Sequence, residues 1–244
     1  LIRFYSVPHV RNYIKRQLQL ELLGEVPVLS IRTEPLQNPV NRLAKRLFDL
    51  TFSSLFLLTI FPFIYLIVGL IIKITSPGPI FFKQERNGEN GKIFKCYKFR
   101  SMKVNALSDS LQATKNDPRK TKFGNFLRKS NLDELPQFIN VFKGEMSIVG
   151  PRPHMLKHTE EYSQLINKYM MRHLVKPGIT GWAQVTGYRG ETKELSQMEG
   201  RVRRDLWYIE NWTFLLDIRI MIKTVTNMFR GEKKRLLIQI VGTL

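Results

Sequence analysis

The sequence LRKSNLDELPQFINVFKGEMSIVGPRP, residues Leu127–Pro153, places two adjacent carboxylates, Asp133 and Glu134, in a strongly basic region. Pro136 has no backbone N–H to donate, so it fits the first turn of a helix and not its middle. The two acids should therefore lie at or just before a helix N-terminus, where free N–H groups and the helix dipole favour anions such as phosphate. From this stretch alone, a simple helix cap is an equally good interpretation.

The charge of the chain restricts its partners. Its 244 residues are enough for one ordinary domain with a core, and they carry 39 Lys or Arg against 20 Asp or Glu, a net charge of +19. Such an excess suggests a polyanionic partner, which is nucleic acid, an anionic membrane surface or a phosphorylated substrate. No helix-turn-helix, RRM or zinc pattern supports nucleic acid. Cys96 is the only cysteine, which excludes an intrachain disulfide and a cysteine-based zinc site.

An uncharged run of 23 residues, Leu50–Ile72, is the second landmark. As one helix it would extend ~35 Å, so we expect a membrane helix at about residues 47–73 rather than a buried core helix. Pro62 should kink this helix near its middle. Basic residues flank both ends of the run: Arg42, Lys45 and Arg46 before it, and Lys73, Lys83 and Arg86 after it.

These basic flanks bear on the topology of the run. Lys and Arg mark the cytoplasmic side of a membrane segment, so both ends are predicted to be cytoplasmic. A single spanning helix does not satisfy that condition, whereas a helix–break–helix hairpin that enters and leaves by the cytoplasmic leaflet does. An ordinary transmembrane span with a tolerated proline is the alternative, since transmembrane prolines are common.

Residues 1–40 do not have the pattern of a complete unit. Tyr13–Leu23 has the pattern of a helix, and Val26–Ile31 that of a short buried strand. Thr33–Pro39 contains two prolines and no clear period, which suits a linker. We interpret residues 1–40 as the remnant of an upstream α/β domain plus a linker, and residues 41–244 as a separate domain.

The segments after the apolar run predict further elements. Two strands, Ile80–Lys83 and Lys92–Phe99, should form a hairpin. The window Lys83–Lys129 has 13 Lys or Arg against 4 Asp or Glu. By default it is a solvated basic face, but next to an apolar anchor it would lie over anionic lipid headgroups, at about 1 kcal/mol per basic residue. Helices are predicted at Met155–Leu174, Glu199–Glu210 and Thr213–Phe229.

Three of these segments leave alternatives open. His154 and His158 could share a helix face, but a metal site needs a third ligand and no HExxH pattern is present. Lys176–Gly190 is glycine-rich, like a loop folded against a ligand, yet it matches neither GxGxxG nor a Walker sequence. The helix at Thr213–Phe229 is either a core helix or one that lies along a bilayer surface.

Seven motifs occur in order along the chain. They are KRLFDL (Lys45–Leu50), the apolar run with its central proline, SPGPIFFKQER (Ser76–Arg86), FKCYKFRSM (Phe94–Met102), LDELPQ (Leu132–Gln137), FKGEMSIVGPRP (Phe142–Pro153) and KPGITGWAQVTG (Lys176–Gly187). Together they resemble the bacterial sugar transferase family, the monotopic polyprenyl-phosphate sugar-phosphate transferases, from about Arg42 to Phe229. The tract Gly187–Trp212 resembles the branch of large undecaprenyl-phosphate glucose phosphotransferases, which usually carry a membrane bundle and an α/β domain upstream.

The resemblance implies a fold and a reaction. The fold is α+β: a membrane-anchored, mostly helical domain with a re-entrant membrane helix, amphipathic interfacial helices and a small β element. The reaction is transfer of a sugar 1-phosphate from a UDP-sugar to undecaprenyl phosphate, with release of UMP, at the cytoplasmic face of the bacterial inner membrane. This is the first membrane step of exopolysaccharide, capsule or O-antigen synthesis. UDP-glucose and UDP-galactose are the favoured donors. The resemblance does not fix the oligomeric state, and a homo-oligomer is one possibility.

The resemblance also implies roles for individual residues. Asp133 would be the nucleophile on the sugar-bearing phosphorus, forming an aspartyl-phosphosugar intermediate. Glu134 would hold Mg²⁺, which neutralises the diphosphate and stabilises the UMP leaving group. For Lys98 and Arg100 the alternative to a phosphate contact is a basic strand that faces lipid headgroups. The candidates for phosphate or substrate binding are Arg128 and Arg152, which match family arginines, and the weaker Lys98, Arg100 and Arg86.

One position departs from the family pattern. Members commonly have Ser directly before the proline of the membrane helix, and this chain has Phe61. The carbonyl freed at the kink then needs another donor, for which Thr59 or the upstream serines are candidates. A catalytically silent, basic, membrane-anchored scaffold is the alternative function. It would explain the charge and the anchor but would leave LDELPQ without a purpose.

Overall fold

The computed structural model describes residues 19–23, 26–30, 34–103, 119–190 and 194–229. Within these ranges the chain is α+β, mostly helical with short strands, as predicted at that level. The strands are β1 (Gln19–Leu23), β2 (Val26–Ser30), β3 (Phe81–Asn87), β4 (Ile93–Phe99), β5 (Ser147–Val149) and β6 (Gly178–Thr180). The α-helices are α1 (Pro39–Thr59), α2 (Phe61–Thr75), α3 (Lys122–Ser130), α4 (Gln137–Lys143), α5 (Leu156–Leu165), α6 (Trp182–Val185), α7 (Leu195–Glu210) and α8 (Phe214–Phe229). Short 3₁₀ turns lie at Pro35–Gln37, Glu89–Gly91, Leu132–Glu134 and Tyr169–Leu174.

Helices α1 and α2 form a bent pair. The side chain of Asn38 accepts a hydrogen bond from the N–H of Val40 and caps the start of α1. Pro62 lies in the first turn of α2, where the N–H that it lacks is not needed, and the helices are bent by 56° at the break. The carbonyl freed by Pro62 is that of Leu58, but the hydroxyl of Thr59 donates to the carbonyl of Leu55, and those of the upstream serines donate to the carbonyl of Leu50. The expectation that one of these side chains meets the freed carbonyl is therefore wrong. The break lies where the proline predicts a kink.

The bent pair has the opposite polarity to an ordinary amphipathic helix, because it buries polar residues and exposes apolar ones. Helix α1 buries the polar residues Lys45, Asp49 and Ser53, while its Leu55 and Leu58 are 62% and 80% exposed. Helix α2 exposes a similar apolar side, formed by Phe63, Leu66, Ile67, Leu70 and Ile74. In the described ranges only this bent pair, and no individual helix, has the length and composition to cross a membrane. An apolar surface of this extent marks an interaction site.

The polar side of α1 holds the elements that follow it in the sequence. Lys45 forms a buried ion pair with Asp217 of α8, with Nζ and Oδ2 2.5 Å apart. Arg46 donates to two backbone carbonyls at the C-terminus of α4, at 2.7 and 2.8 Å. The carboxylate of Asp49 accepts the N–H of Ile148 in β5 at 3.0 Å. Helix α1 therefore holds α4, α8 and β5 in place.

The predicted hairpin is confirmed. β3 pairs antiparallel to β4 along its whole length, with Phe81 opposite Phe99. The connection uses Asn90 at φ 55° and Gly91 at φ 75°, left-handed conformations that asparagine and glycine tolerate. β3 extends beyond the predicted Ile80–Lys83, because pairing with β4 continues through polar residues up to the turn.

The glycine-rich segment packs against the backbone of the neighbouring strand. β6 pairs parallel to β5, with Ser147 opposite Gly178 and Val149 opposite Thr180. A Cβ added to Gly178 would lie 2.1 Å from the backbone nitrogen of Gly150, so no larger residue fits there. This glycine is therefore explained by the close approach of β6 to the turn after β5, without any need for a ligand.

The predicted helix at Tyr13–Leu23 is wrong over its described part. Gln19–Leu23 is strand β1, paired antiparallel to β2, and residues 13–18 lie outside the described residues. A neighbouring strand that offers backbone pairing overrides a weak local helix preference. The strand predicted at Val26–Ile31 is confirmed over Val26–Ser30 as β2, and Ile31 lies outside the described residues.

The predicted helix at Met155–Leu174 is divided into two elements. Helix α5 ends at Leu165, and a 3₁₀ turn begins at Tyr169. Between them Ile166 is extended and buried against Tyr169 and Met198. Burial of the Ile166 side chain favours an extended backbone there, so α5 ends. The local sequence pattern does not reveal this burial. The two later helices are confirmed as α7 and α8.

Candidate active site

Asp133 and Glu134 lie in the connection between α3 and α4, just before the N-terminus of α4. Helix α3 ends at Ser130, and the φ of 59° at the next residue, Asn131, reverses the chain. The following 3₁₀ turn carries both acids, and Pro136 directly precedes α4. The side chain of Asn131 makes no cap, and Glu134 bonds to cations from other elements. The two acids are therefore more than a helix cap.

Glu134 is fixed by two cations. Arg152 donates from Nη2 to Oε1 at 2.5 Å and from Nη1 to Oε2 at 3.1 Å, a two-point contact. Lys98 donates from Nζ to Oε1 at 2.7 Å. Burial alone would raise the pKa of Glu134, but the charges of Arg152 and Lys98 outweigh it and hold that pKa well below the ordinary range. Glu134 is thus ionised at neutral pH and held in one position.

Asp133 has a different environment, although it is the adjacent residue. It is 7% exposed, and among the described residues none donates a hydrogen bond to its carboxylate. Burial, and then the charge of Glu134, raises the pKa of Asp133 to about 6. Three cations partly offset this rise: Lys98, Arg128 and Arg152. Asp133 is therefore mostly ionised at neutral pH and has oxygens free to react with an electrophile.

Arg172 supports the loop that carries Arg152. Its Nη2 donates to the carbonyl of Arg152 at 2.9 Å, and its Nε donates to Asp205 of α7 at 2.8 Å. Both side chains of the Arg172–Asp205 pair are 2% exposed. No sequence signal indicated this pair, because two charged residues far apart in the chain look like ordinary surface residues until the fold buries them together.

His154 belongs to the same buried layer. Its Nδ1 lies 2.6 Å from Oη of Tyr169 and 2.9 Å from Nη1 of Arg172. Burial, followed by the charge of Arg172, holds the pKa of His154 well below the ordinary range, so the ring is neutral. The described part of the chain contains no group of three or more His, Cys, Asp or Glu arranged for a metal ion. These bonds give Nδ1 of His154 a structural role, while its Nε2 is buried without a partner among the described residues.

We expect Asp205→Asn to lower the free energy of unfolding by about 3–5 kcal/mol, because it leaves the buried guanidinium of Arg172 without its counter-ion. Urea unfolding at neutral pH, followed by circular dichroism in detergent, measures the change. Glu199→Gln, in the same helix and away from this ion pair, is the matched control and should change stability by less than about 0.5 kcal/mol. An Asp205→Asn variant as stable as the wild type would mean that the pair does not support this loop.

Three of the five basic candidates lie at the two acids. Lys98 and Arg152 contact Glu134 directly. Arg128, in the last turn of α3, lies near enough to Asp133 for its charge to lower that pKa. These cations come from β4, α3 and the turn after β5, so the fold gathers them around one pair of carboxylates.

Arg100 and Arg86 have other contacts. Arg100 donates to the carbonyl of Pro77 at 2.8 Å and to that of Ser76, which joins the end of β4 to the turn after α2. Arg86 lies in β3 and donates to Oε1 of Gln84 at 2.5 Å. Both contacts are structural, and a direct contact of either arginine with substrate stays a prediction.

A cavity of about 380 Å³ adjoins Glu134. Its walls come mainly from α8 and from the segment of β6, α6 and the residues after α6, with smaller parts from α1 and from the residues around the start of α4, and they are mostly apolar. Arg189 also lines it and donates to Oδ1 of Asn131, the residue directly after α3. Arg189 was not among the predicted site residues. Its place at the end of the glycine-rich segment Lys176–Gly190 was the only sequence signal for it.

Comparison with known proteins gives a family and several relatives. Residues 40–231 match the bacterial sugar transferase family. The chain belongs to this family. It is 52% identical over 226 residues to the UDP-glucose:undecaprenyl-phosphate glucose-1-phosphate transferase of Escherichia coli (strain K12), covering 92% of this chain and 48% of that protein. It is 47% identical over 234 residues to the protein of the same name from Xanthomonas campestris pv. campestris, covering 93% and 47%.

A third relative of this bacterial sugar transferase is shorter. The chain is 45% identical over 194 residues to the exopolysaccharide production protein PSS of Rhizobium leguminosarum bv. phaseoli, covering 77% of this chain and 96% of that protein. In contrast, the chain spans only about half the length of the Escherichia coli and Xanthomonas relatives. The family match runs from α1 through α8 and contains both acids and the cations around them.

Proposed function

We propose that this bacterial sugar transferase moves a sugar 1-phosphate from a UDP-sugar to undecaprenyl phosphate and releases UMP. The observation that carries the proposal is the contrast between two adjacent buried acids. Glu134 is fixed by Lys98 and Arg152, whereas Asp133 has no such partner among the described residues. One acid is thus free to react while its neighbour is held. The names of the Escherichia coli and Xanthomonas relatives support the same two substrates.

The reaction proceeds in two displacements. An Oδ atom of Asp133 attacks the sugar-bearing phosphorus of the UDP-sugar, a P–O bond to the aspartate forms, and UMP leaves with the bridging oxygen and its electron pair. An oxygen of undecaprenyl phosphate then attacks the same phosphorus and releases the carboxylate of Asp133. The surrounding cations offset the negative charge that gathers in both steps: Lys98, Arg128 and Arg152.

Mg²⁺ is the proposed cofactor, and Glu134 is its proposed ligand. The donor chemistry fits, because proteins usually hold Mg²⁺ by one or two carboxylates together with substrate phosphate oxygens. Oε2 of Glu134 accepts one hydrogen bond, from Arg152, which leaves that oxygen able to take a further partner. The ion, when bound, supplies positive charge that neutralises the diphosphate and stabilises the leaving UMP.

The bent pair α1–α2 is the proposed re-entrant anchor, inserted in the cytoplasmic leaflet of the inner membrane. Its exposed leucine, isoleucine and phenylalanine side chains would lie in lipid, while the polar residues of α1 face the protein. Backbone at the break is costly in lipid, so the break should lie shallow. Arg42 and Lys73, both exposed beside the apolar run, would contact anionic headgroups. Such an anchor keeps Asp133 at the membrane surface, where undecaprenyl phosphate presents its phosphate.

Single cysteines at the two ends of the pair test this topology. Gln37→Cys and Thr75→Cys are exposed positions before α1 and at the end of α2, and Cys96→Ser removes the native thiol. In intact spheroplasts an impermeant thiol reagent should label neither cysteine, because both ends are cytoplasmic. Both should react after permeabilisation, which is the control for accessibility. Labelling of only one of the two before permeabilisation would mean that the run spans the membrane.

UMP release tests the proposed reaction directly. The full chain in lipid nanodiscs is given a panel of UDP-sugars, with and without Mg²⁺ and undecaprenyl phosphate. We expect Mg²⁺-dependent release of UMP with UDP-glucose as the best donor and UDP-galactose next. Membrane binding without UMP release from any donor would instead favour a catalytically silent scaffold.

A further inference from the structure

The cavity beside Glu134 has the size of a small-molecule binding site, about 380 Å³. Phe56 and Phe138 pack against each other in its wall with ring centroids 4.3 Å apart, so the aromatic wall is continuous from the anchor to the helix after the acids. Apolar side chains in this wall include Phe52 and Phe56 of α1, Leu135 and Phe138 beside and in α4, and Met221 and Val225 of α8.

The cavity reaches the surface between α1 and α8. Three of its lining residues, Phe52, Val225 and Met228, are also 39%, 53% and 45% exposed. The surface beside them is apolar as well, since Leu55 of α1 is exposed nearby in sequence on the same helix as Phe52. The opening is therefore framed by apolar side chains, and the anchor helix α1 forms one of its edges.

Most polar groups in the cavity wall already have partners, although Oε1 of Gln184, which is buried, has none among the described residues. The hydroxyls of Thr180 and Thr224 lie 2.7 Å apart and bond each other. Arg189 donates to Asn131, and Glu134 is bound by its two cations. A sugar or a uracil ring in this space would leave many of its own polar groups without partners, which is costly in apolar surroundings. An apolar chain has no such groups, and it gains free energy on leaving water.

We propose that this cavity is the acceptor subsite and holds the isoprene units nearest the phosphate of a polyprenyl phosphate. This inference rests on the function proposed above and adds the position of the second substrate. The phosphate would lie at the end lined by Glu134 and Arg189, next to Asp133. The rest of the polyprenyl chain would leave through the opening between α1 and α8, because the cavity is too small for a long chain.

Filling the cavity tests this inference. Met221→Trp puts a larger ring into the wall, and Val225→Trp narrows the opening at a half-exposed position. Ile222→Trp is the matched control, since Ile222 follows Met221 in α8 but is 59% exposed and does not line the cavity. The full chain is assayed in nanodiscs in two ways. The burst of UMP from UDP-glucose without acceptor reports the first displacement, and turnover against the concentration of undecaprenyl phosphate reports the second.

We expect the KM for undecaprenyl phosphate to rise about tenfold or more in both cavity variants, because each methylene kept out of an apolar site is worth about fourfold in affinity. Their UMP burst should equal that of the wild type, which also shows that they are folded. Ile222→Trp should match the wild type in both assays.

Two results would overturn the acceptor subsite. One is a smaller burst or a higher KM for UDP-glucose with an unchanged KM for undecaprenyl phosphate, which would assign the cavity to the donor. The other is an unchanged KM for undecaprenyl phosphate in both cavity variants. Absence of any UMP burst in the wild type would be a different failure, because it would refute the two-displacement reaction itself and remove the basis of the inference.

Discussion

Asp133→Asn is expected to reduce UMP release by about 10⁴-fold or more, because the amide keeps the shape of the side chain but cannot attack phosphorus. Mass spectrometry of wild-type protein mixed with UDP-glucose should find a phosphosugar adduct on Asp133, and the variant should carry none. Glu160→Gln removes a carboxylate from the exposed side of α5 and should retain full activity as the control. An adduct on a different residue, or full activity of the asparagine variant, would refute the role of Asp133.

The same substitution should not weaken the fold. The pKa of Asp133 is about 6 in the folded chain, above the ordinary aspartate value of 3.8, so the ionised form opposes folding. Ionisation of Asp133 therefore lowers the free energy of unfolding. This loss is absent below about pH 4, grows as the pH rises, and is complete above about pH 6, where it amounts to about 3 kcal/mol. The asparagine side chain carries no charge, so the Tm of the variant at neutral pH should equal or exceed that of the wild type. A lower Tm together with lost activity would indicate misfolding.

Glu134→Gln should lower the rate, and it should also shift the acid limb of the pH profile of kcat/KM to lower pH. Glutamine keeps the shape but removes the negative charge that helps to raise the pKa of Asp133, and it leaves Lys98 and Arg152 without their anion. The pKa of Asp133 should therefore fall below about 6, so the nucleophile stays ionised at lower pH. At neutral pH we expect a loss of about 10²-fold or more, because a neutral amide is a poorer ligand for Mg²⁺.

The measurement is kcat/KM for UDP-glucose between about pH 5 and pH 8, at several Mg²⁺ concentrations. Glu160→Gln again provides the control and should show the wild-type profile and the wild-type Mg²⁺ dependence. An unchanged Mg²⁺ titration with only a lower plateau would mean that Glu134 does not hold the ion. An acid limb that stays in place or moves to higher pH would contradict the electrostatic link between the two acids.

The positions of the two acids were predictable because their determinants are local. Pro136 marks the start of α4, and the preceding residues then fall at its N-terminus by the ordinary rules of helix ends. The bend at Pro62 follows from the same kind of local argument. The positions of the cations are not determined locally, since Lys98 comes from β4 and Arg152 from the turn after β5. They meet Glu134 only when the fold has formed, so family resemblance alone pointed to them.

Prediction failed where distant contacts decide the local structure. The Arg172–Asp205 pair and Arg189 gave no periodic signal, because a charged residue is recognised as buried only when its partner is known. The glycine-rich segment has the pattern of a loop folded against a ligand, and part of it lines the cavity, but the pattern does not reveal that Gly178 is needed for the approach of one backbone to another. Strand β1 formed from a sequence with helical character, because pairing with β2 was available.

The inverted polarity of α1 has a practical consequence for preparing this protein. Lys45, Arg46 and Asp49 satisfy groups in three other elements, so a version of the chain shortened to begin after α2 would lose all three contacts. The carboxylate of Asp217 would remain buried without its cation, at a cost of about 3–5 kcal/mol, and the N–H of Ile148 would lose its acceptor. Trimming the apolar helices to gain solubility should therefore yield unfolded material, and detergent or lipid has to be present from extraction onward.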